Sequence, residues 1–195
     1  LCIVIFLMGT TNVVSMLQVL SYSRQYDAII TNITTANSIS GSLKPDIDNE
    51  MWKIVSGKIK FSEGRQYEIL DNVNSKVRGM MDNTDSKRAK VKLDLVLRTL
   101  QSLREYVDLM GDKISNNSTA AENEAVLEDI RFASSVMEEV VQNYVLYEVN
   151  RTDGQYQAMR EGYVRWQIFS IILIFSAVGF SVVAAWGLSR SIYTP

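Results

Sequence analysis

Few residues in this chain have the types and spacing that chemistry needs. There is no histidine, so the commonest general base and the commonest metal ligand are both missing. The one cysteine, Cys2, lies in an apolar run and has no partner for an internal disulfide. Adjacent carboxylates such as Glu138 and Glu139 diverge on a helix and read as a solvated face. No catalytic constellation emerges, and no cofactor or metal is expected. Recognition is the chemistry left. Arginine pairs bidentately with carboxylate or phosphate, which makes Arg98 and Arg131 candidate anchors by residue type. Arg98 falls on the helix face opposite an apolar seam, where a solvated arginine is the bland alternative. Trp52, beside Met51, is either a core residue or the wall of a pocket or dimer contact. Asn117 and Asn150 open N-x-S/T triplets, which are glycan acceptors in a secreted eukaryotic chain and otherwise ordinary surface residues.

These candidates need elements to position them, and composition narrows the choice. Of 195 residues, 47% are hydrophobic; 20 Lys+Arg against 22 Asp+Glu give a net charge of -2, with no pull toward nucleic acid. Only Pro45 and Pro195 interrupt helix formation. The chain opens on Leu1 rather than methionine, which points to a piece of a longer protein. Residues 1–20 are predominantly apolar, although Thr10, Thr11, Asn12 and Gln18 interrupt them; the first charge is Arg24. Residues 166–189 carry no charge and place Trp166 and Trp186 near the two ends, as a membrane-spanning helix does. Two spans would put residues 21–165 on one side of a membrane and both termini on the other.

Between the runs, apolar residues recur at three and four. The clearest seam is Leu93, Val96, Leu100, Leu103, Val107, Met110 and Ile114, with Leu97 widening it. It predicts that Leu100 and Leu103 are buried and that Arg98 and Lys113 are not. A first helix carries Tyr26, Ile29, Ile33, Ala36 and Ile39. A second runs from Pro45 to Met81, and a last one carries Leu127, Ile130, Ala133, Met137, Val140, Tyr144 and Tyr147. The predicted fold is therefore all-α: an antiparallel four-helix bundle whose first and last helices continue into the spans. Gly41 and Pro45 mark a break, and Gly57 to Gly64 a kink. Thr84, Asp85 or Ser86 caps the third helix, and Thr119 with Glu122 forms a capping box before the last. The lengths conflict. The first helix projects about 33 Å from Leu20 to Ser42, the last about 69 Å from Ala120 to Arg165. Either the chain leaves the bilayer before Leu20 or the last helix breaks near Asn150–Gly154.

The terminal stretch LSRSIYTP resembles the junction between a transmembrane helix and a HAMP linker, whose first helix commonly opens with a basic residue, an isoleucine and a proline spaced as Arg190, Ile192 and Pro195 are. EMWKIVSGKIKFSEGRQYEIL and VLRTLQSLREYV resemble, in pattern and layout, the helical sensor regions of Firmicutes membrane histidine kinases. The resemblance implies a cell-membrane receptor: residues 21–165 outside, 190–195 opening a cytoplasmic linker, and a homodimer that passes an unknown external ligand or partner signal to a response regulator. It leaves two other readings open, a chemotaxis receptor and a membrane-anchored helical scaffold.

Overall fold

The computed structural model describes the backbone of residues 2–193 and the side chains other than those of 1–8, 11, 12, 15, 18, 155, 158, 159, 163, 173, 184 and 187–195. Four helices account for almost all of it: α1 (Cys2–Val55), α2 (Gln66–Asp82), α3 (Lys87–Ser115) and α4 (Ala120–Tyr193), with a 3-10 turn at Phe61–Glu63 between the first two. No strand occurs among the described residues. The chain divides into two compact units. One is Tyr26–Arg151; the other joins Leu1–Gln25 with Thr152–Pro195.

The first unit has one hydrophobic core fed by all four helices, including Ile39, Met51, Val77, Leu103 and Met137. The seam of α3 is buried from Leu93 to Met110, and Ile114 is half-buried at its end. Arg98 is exposed, while Lys113 is half-buried and pairs with Glu122. Four stripe positions differ from expectation. Tyr26 is exposed and Ile33, Val140 and Tyr147 are only half-buried, the buried valine on α4 being Val141.

The first break falls elsewhere than Gly41 and Pro45, since α1 runs through both. Proline inside a helix removes the N–H that would reach the Gly41 carbonyl, at about 3 kcal/mol. Leu43 and Ile47 flank it and are fully buried. Two such side chains contribute about 3–6 kcal/mol, enough to carry the helix across. The real stop is Gly57. Its φ of +73° is left-handed, its N–H reaches Ile54 O at 3.0 Å, and Lys58 N reaches Lys53 O at 2.9 Å. This is a Schellman motif, which needs a residue tolerant of positive φ. The same device ends α3, with Asn117 at φ +56°, Asn117 N bonded to Ile114 O and Ser118 N to Lys113 O. Ser86 caps α3 through Ala89 N at 3.2 Å. The Thr119–Glu122 box forms in both directions.

Moving the break narrows the length conflict. Within this unit α1 covers Tyr26–Val55, about 45 Å, and α4 covers Ala120–Arg151, about 48 Å. No break occurs at Asn150–Gly154.

In the second unit, Arg160–Val183 is long and apolar enough to cross a membrane: 24 residues with mean hydropathy 2.1, none of that window buried. Its described large side chains are exposed, Phe175 and Phe180 among them. Among the described residues no second stretch meets the same standard. The expected two-span arrangement is thus reduced to one candidate membrane helix. That helix begins six residues before the expected 166. Most of the opening of 1–20 lies outside the described side chains.

Candidate functional site

An open groove of the first unit includes Arg131, one of the candidate anchors. It occupies about 550 Å³ between α1, which supplies Lys44, Pro45 and Asp48, and α4, which supplies Glu128, Arg131, Phe132 and Ser135. Arg131 lines it. Its Nε donates to Asp48 Oδ1 at 2.5 Å and its Nη1 to Glu128 Oε1 at 2.5 Å. Those bonds, Asp48 first, push the guanidinium pKa further up. The arginine is therefore already neutralised by two carboxylates, and an incoming anion would compete with both. The pair is over a third exposed on each side, so its contribution to stability is within about 1 kcal/mol. Phe132 leaves most of its ring in solvent, 71% exposed.

Trp52 is not a core residue: it is 50% exposed. It stands one helical turn beyond Asp48 on α1, so the two share a face. Arg98 belongs elsewhere, bonding Asp94 four residues back at 2.8 Å on exposed α3 surface. The side chains of Arg190 and Ile192, and Pro195 entirely, lie outside the described residues.

Two polar clusters were not anticipated. At the turn between α1 and α2, Glu50 is buried and accepts from Arg65 N at 2.9 Å and from Lys53 Nζ at 3.1 Å. The Arg65 N–H, then Lys53, hold its carboxyl below the usual range against the opposing effect of burial. Glu50 thus serves the start of α2, where Arg65 offers no side-chain cap.

The second cluster is deeper. Asn32 of α1, with Tyr144 and Glu148 of α4, is at most 1% exposed. Asn32 Nδ2 donates to Met80 O at 3.0 Å. Arg151 Nη1 donates to Glu148 Oε2 at 3.2 Å and reaches Thr84 Oγ1 at 3.5 Å. Nearby, Ser86 Oγ and Tyr147 Oη are 3.1 Å apart. The cluster ties α1, α4, the end of α2 and the α2–α3 turn together. Burial, then the Glu148 charge, pushes the Tyr144 hydroxyl pKa well up; Asn32 opposes them. Asn32 Oδ1 and the Tyr144 hydroxyl have no protein partner of ordinary geometry. A buried polar atom left so costs about 1–3 kcal/mol. A signal for this cluster was present: the stripe Met137, Val141, Tyr144 continues by 3-4 spacing onto Glu148, and Asn32 sits between Ile29 and Ala36.

Among the described residues no three potential metal ligands converge. The buried cluster holds α1, α4 and the α2–α3 turn together. Comparisons with protein-family models, curated proteins and solved structures find no match.

Proposed function

We propose that this chain is the sensing and membrane-crossing portion of a two-component sensor histidine kinase. In this reading Tyr26–Arg151 is an antiparallel four-helix bundle outside the cell. Residues 1–20 form a second span, and 190–195 open a HAMP linker in the cytoplasm. One observation carries the reading: α4 supplies core residues from Val126 to Tyr144 and continues without interruption through the apolar stretch Arg160–Val183. A helix with that course joins a folded domain to the far side of a membrane by a stiff covalent route. The resemblance of LSRSIYTP to a HAMP junction supports a signalling linker as the element at that far end.

The α1–α4 groove then receives the input. A ligand or partner protein that engages Lys44, Asp48 or Arg131 loads the two helices that lead out of the domain. Output arises from a shift between two packings of a homodimer, and a response regulator reads it as phosphorylation.

The test is an insertion series between Tyr156 and Arg165 in the protein extended past Pro195. One added residue rotates everything downstream by about 100°, and seven restore the phase. Autophosphorylation should change sharply with one or two residues and recover with seven. A smooth decline, or no change, would make α4 a passive tether. Topology is tested separately by Asn116→Cys in a chain whose Cys2 is replaced by serine. A membrane-impermeant maleimide should label it in intact cells; labelling only after lysis would reverse the orientation.

A further inference from the structure

Large apolar side chains reach solvent on two faces of the first unit. Among the described residues α2 exposes none. The outer stripe of α3 exposes Val91, Leu95 and Leu109, with the exposed charges of Arg98 and Glu105 at the same spacing. The other face belongs to α1 and α4. It exposes Ile30 and Trp52 of α1, and Phe132, Leu146 and Val149 of α4. The bonds Arg131 to Asp48 and Gln142 to Ser40 fix the antiparallel register of these two helices. In that register Phe132 stands within about one turn of the level of Trp52, and Val149 within about one turn of Ile30. Between these apolar ends, Lys44 and Glu139 are also level to within about one turn. Both are exposed, and neither makes an ion pair among the described residues.

We propose that a second copy of this chain packs on the α1–α4 face, about a twofold axis parallel to the helices. This pairing rests on the reading that α4 of each copy enters the same membrane, which stands both copies the same way up. Such an axis sets α1 of one copy against α4 of the other at the same level. Trp52 then meets the partner's Phe132, Lys44 meets the partner's Glu139, and Ile30 meets the partner's Val149. The face is self-complementary, as an isologous contact must be. The α3 stripe fails that requirement, because the same axis would bring Arg98 against the partner's Arg98 and Glu105 against the partner's Glu105. The size is adequate. From Ile30 to Trp52 the face runs about 33 Å, and two helices side by side span about 20 Å, a flat footprint of about 660 Å² per copy. Interdigitating side chains bury more than the footprint, and a standard interface buries about 800 Å² per partner. The groove at Arg131 opens on this face, so input arriving there bears on the contact between copies.

The test is a charge exchange in the full chain in lipid vesicles, with Cys2→Ser and Asn116→Cys in every sample so that position 116 carries a donor or an acceptor dye. Energy transfer between copies, followed against the protein-to-lipid ratio, gives the dissociation constant. Lys44→Glu sets like charges against each other at both symmetric contacts and should weaken self-association by about tenfold or more, and Glu139→Lys should do the same. An equimolar mixture of the two variants restores opposite charges at both contacts, and should recover the original affinity to within about threefold. Mixing rescues only a contact made between chains, so an effect confined to one chain would not recover. Unchanged self-association in the single variants overturns the proposal. So does a mixture that fails to recover, or an absence of transfer between copies that keep Lys44 and Glu139. The membrane reading is judged separately by maleimide labelling of Asn116→Cys in intact cells, so a wrong interface and a wrong topology are told apart.

Discussion

Gly111 tests the structure where two effects of opposite sign meet. It lies in the interior of α3, where glycine to alanine ordinarily stabilises by about 1 kcal/mol. Here a Cβ would stand 2.6 Å and 2.7 Å from Cε1 and Cζ of Phe61, and 3.2 Å from Cδ1. Carbon atoms in contact prefer about 3.5–4.0 Å, so the ring must retreat by about 1 Å. Overpacking of that kind costs about 1–3 kcal/mol. The retreat also disturbs the edge-on contact of Phe61 with Tyr67, whose centroids are 6.1 Å apart at 87°, a pair of a type that contributes about 0.5–1.5 kcal/mol. Phe61 sits on a short turn and is half-buried, so it can swing away. The loss cannot exceed what the ring's packing supplies. Gly111→Ala should therefore destabilise by about 1 kcal/mol. In a Phe61→Ala background the obstacle is gone, and the same change should stabilise by about 1 kcal/mol. The assay is denaturant unfolding of the four members of the cycle in detergent micelles, with a coupling of about 2 kcal/mol expected. If Gly111→Ala stabilises equally in both backgrounds, Phe61 does not pack on α3, and the account of the α1–α2 turn is wrong.

Leu100→Ala, in the buried seam of α3, should cost about 2–5 kcal/mol in the same assay; a midpoint that does not move would refute the seam. Gly57→Ala places a side chain at φ +73° and should cost about 1–2 kcal/mol, whereas Asn117→Gly, at the equivalent position of α3, should be neutral or slightly stabilising. Glu50 predicts an acid limb. Its pKa is depressed in the folded state, so the stability it contributes is present above the unfolded carboxylate pKa of about 4.3 and is lost as pH falls through the lower folded value. Glu50→Gln should be less stable than the unmodified chain at pH 7, with the gap narrowing as pH falls below about 4; a gap independent of pH would assign Glu50 no ionic role.

What could be read from the sequence was what repeats. The 3-4 spacing from Leu93 to Met110 located a buried seam because every turn of the helix restates it. Punctuation was harder, since a single residue carries it. Gly41 and Pro45 look like a stop and a start, but the core residues Leu43 and Ile47 outweigh one lost hydrogen bond. Gly57 looks weaker and is the true stop, because of these three residues only Gly57 adopts a positive φ. The candidate site divides the same way. Arg131 was nominated by type, but its two carboxylate partners, one of them 83 residues away, depend on how helices are brought together. Trp52 was drawn toward the core by Met51, yet adjacent helical residues point about 100° apart. At Glu148 a charge at a core position looks like the end of a stripe, and here the stripe simply runs on.

The closest ties between α1 and α4 join residues far apart along the chain: Gln142 Nε2 donates to Ser40 Oγ across 102 positions, and Arg131 to Asp48 across 83. A ribosome adding about 5–20 residues per second needs about 5–20 s to travel from Ser40 to Gln142. Throughout that interval the apolar face of α1 has been made and its final partner has not. Only the α2–α3 hairpin, finished midway, can shelter it in the meantime. Nascent chains that stall between Ser115 and Val126 should therefore carry an open apolar cleft, and they are the stage at which chaperones, proteases or a neighbouring unfinished chain would find this protein.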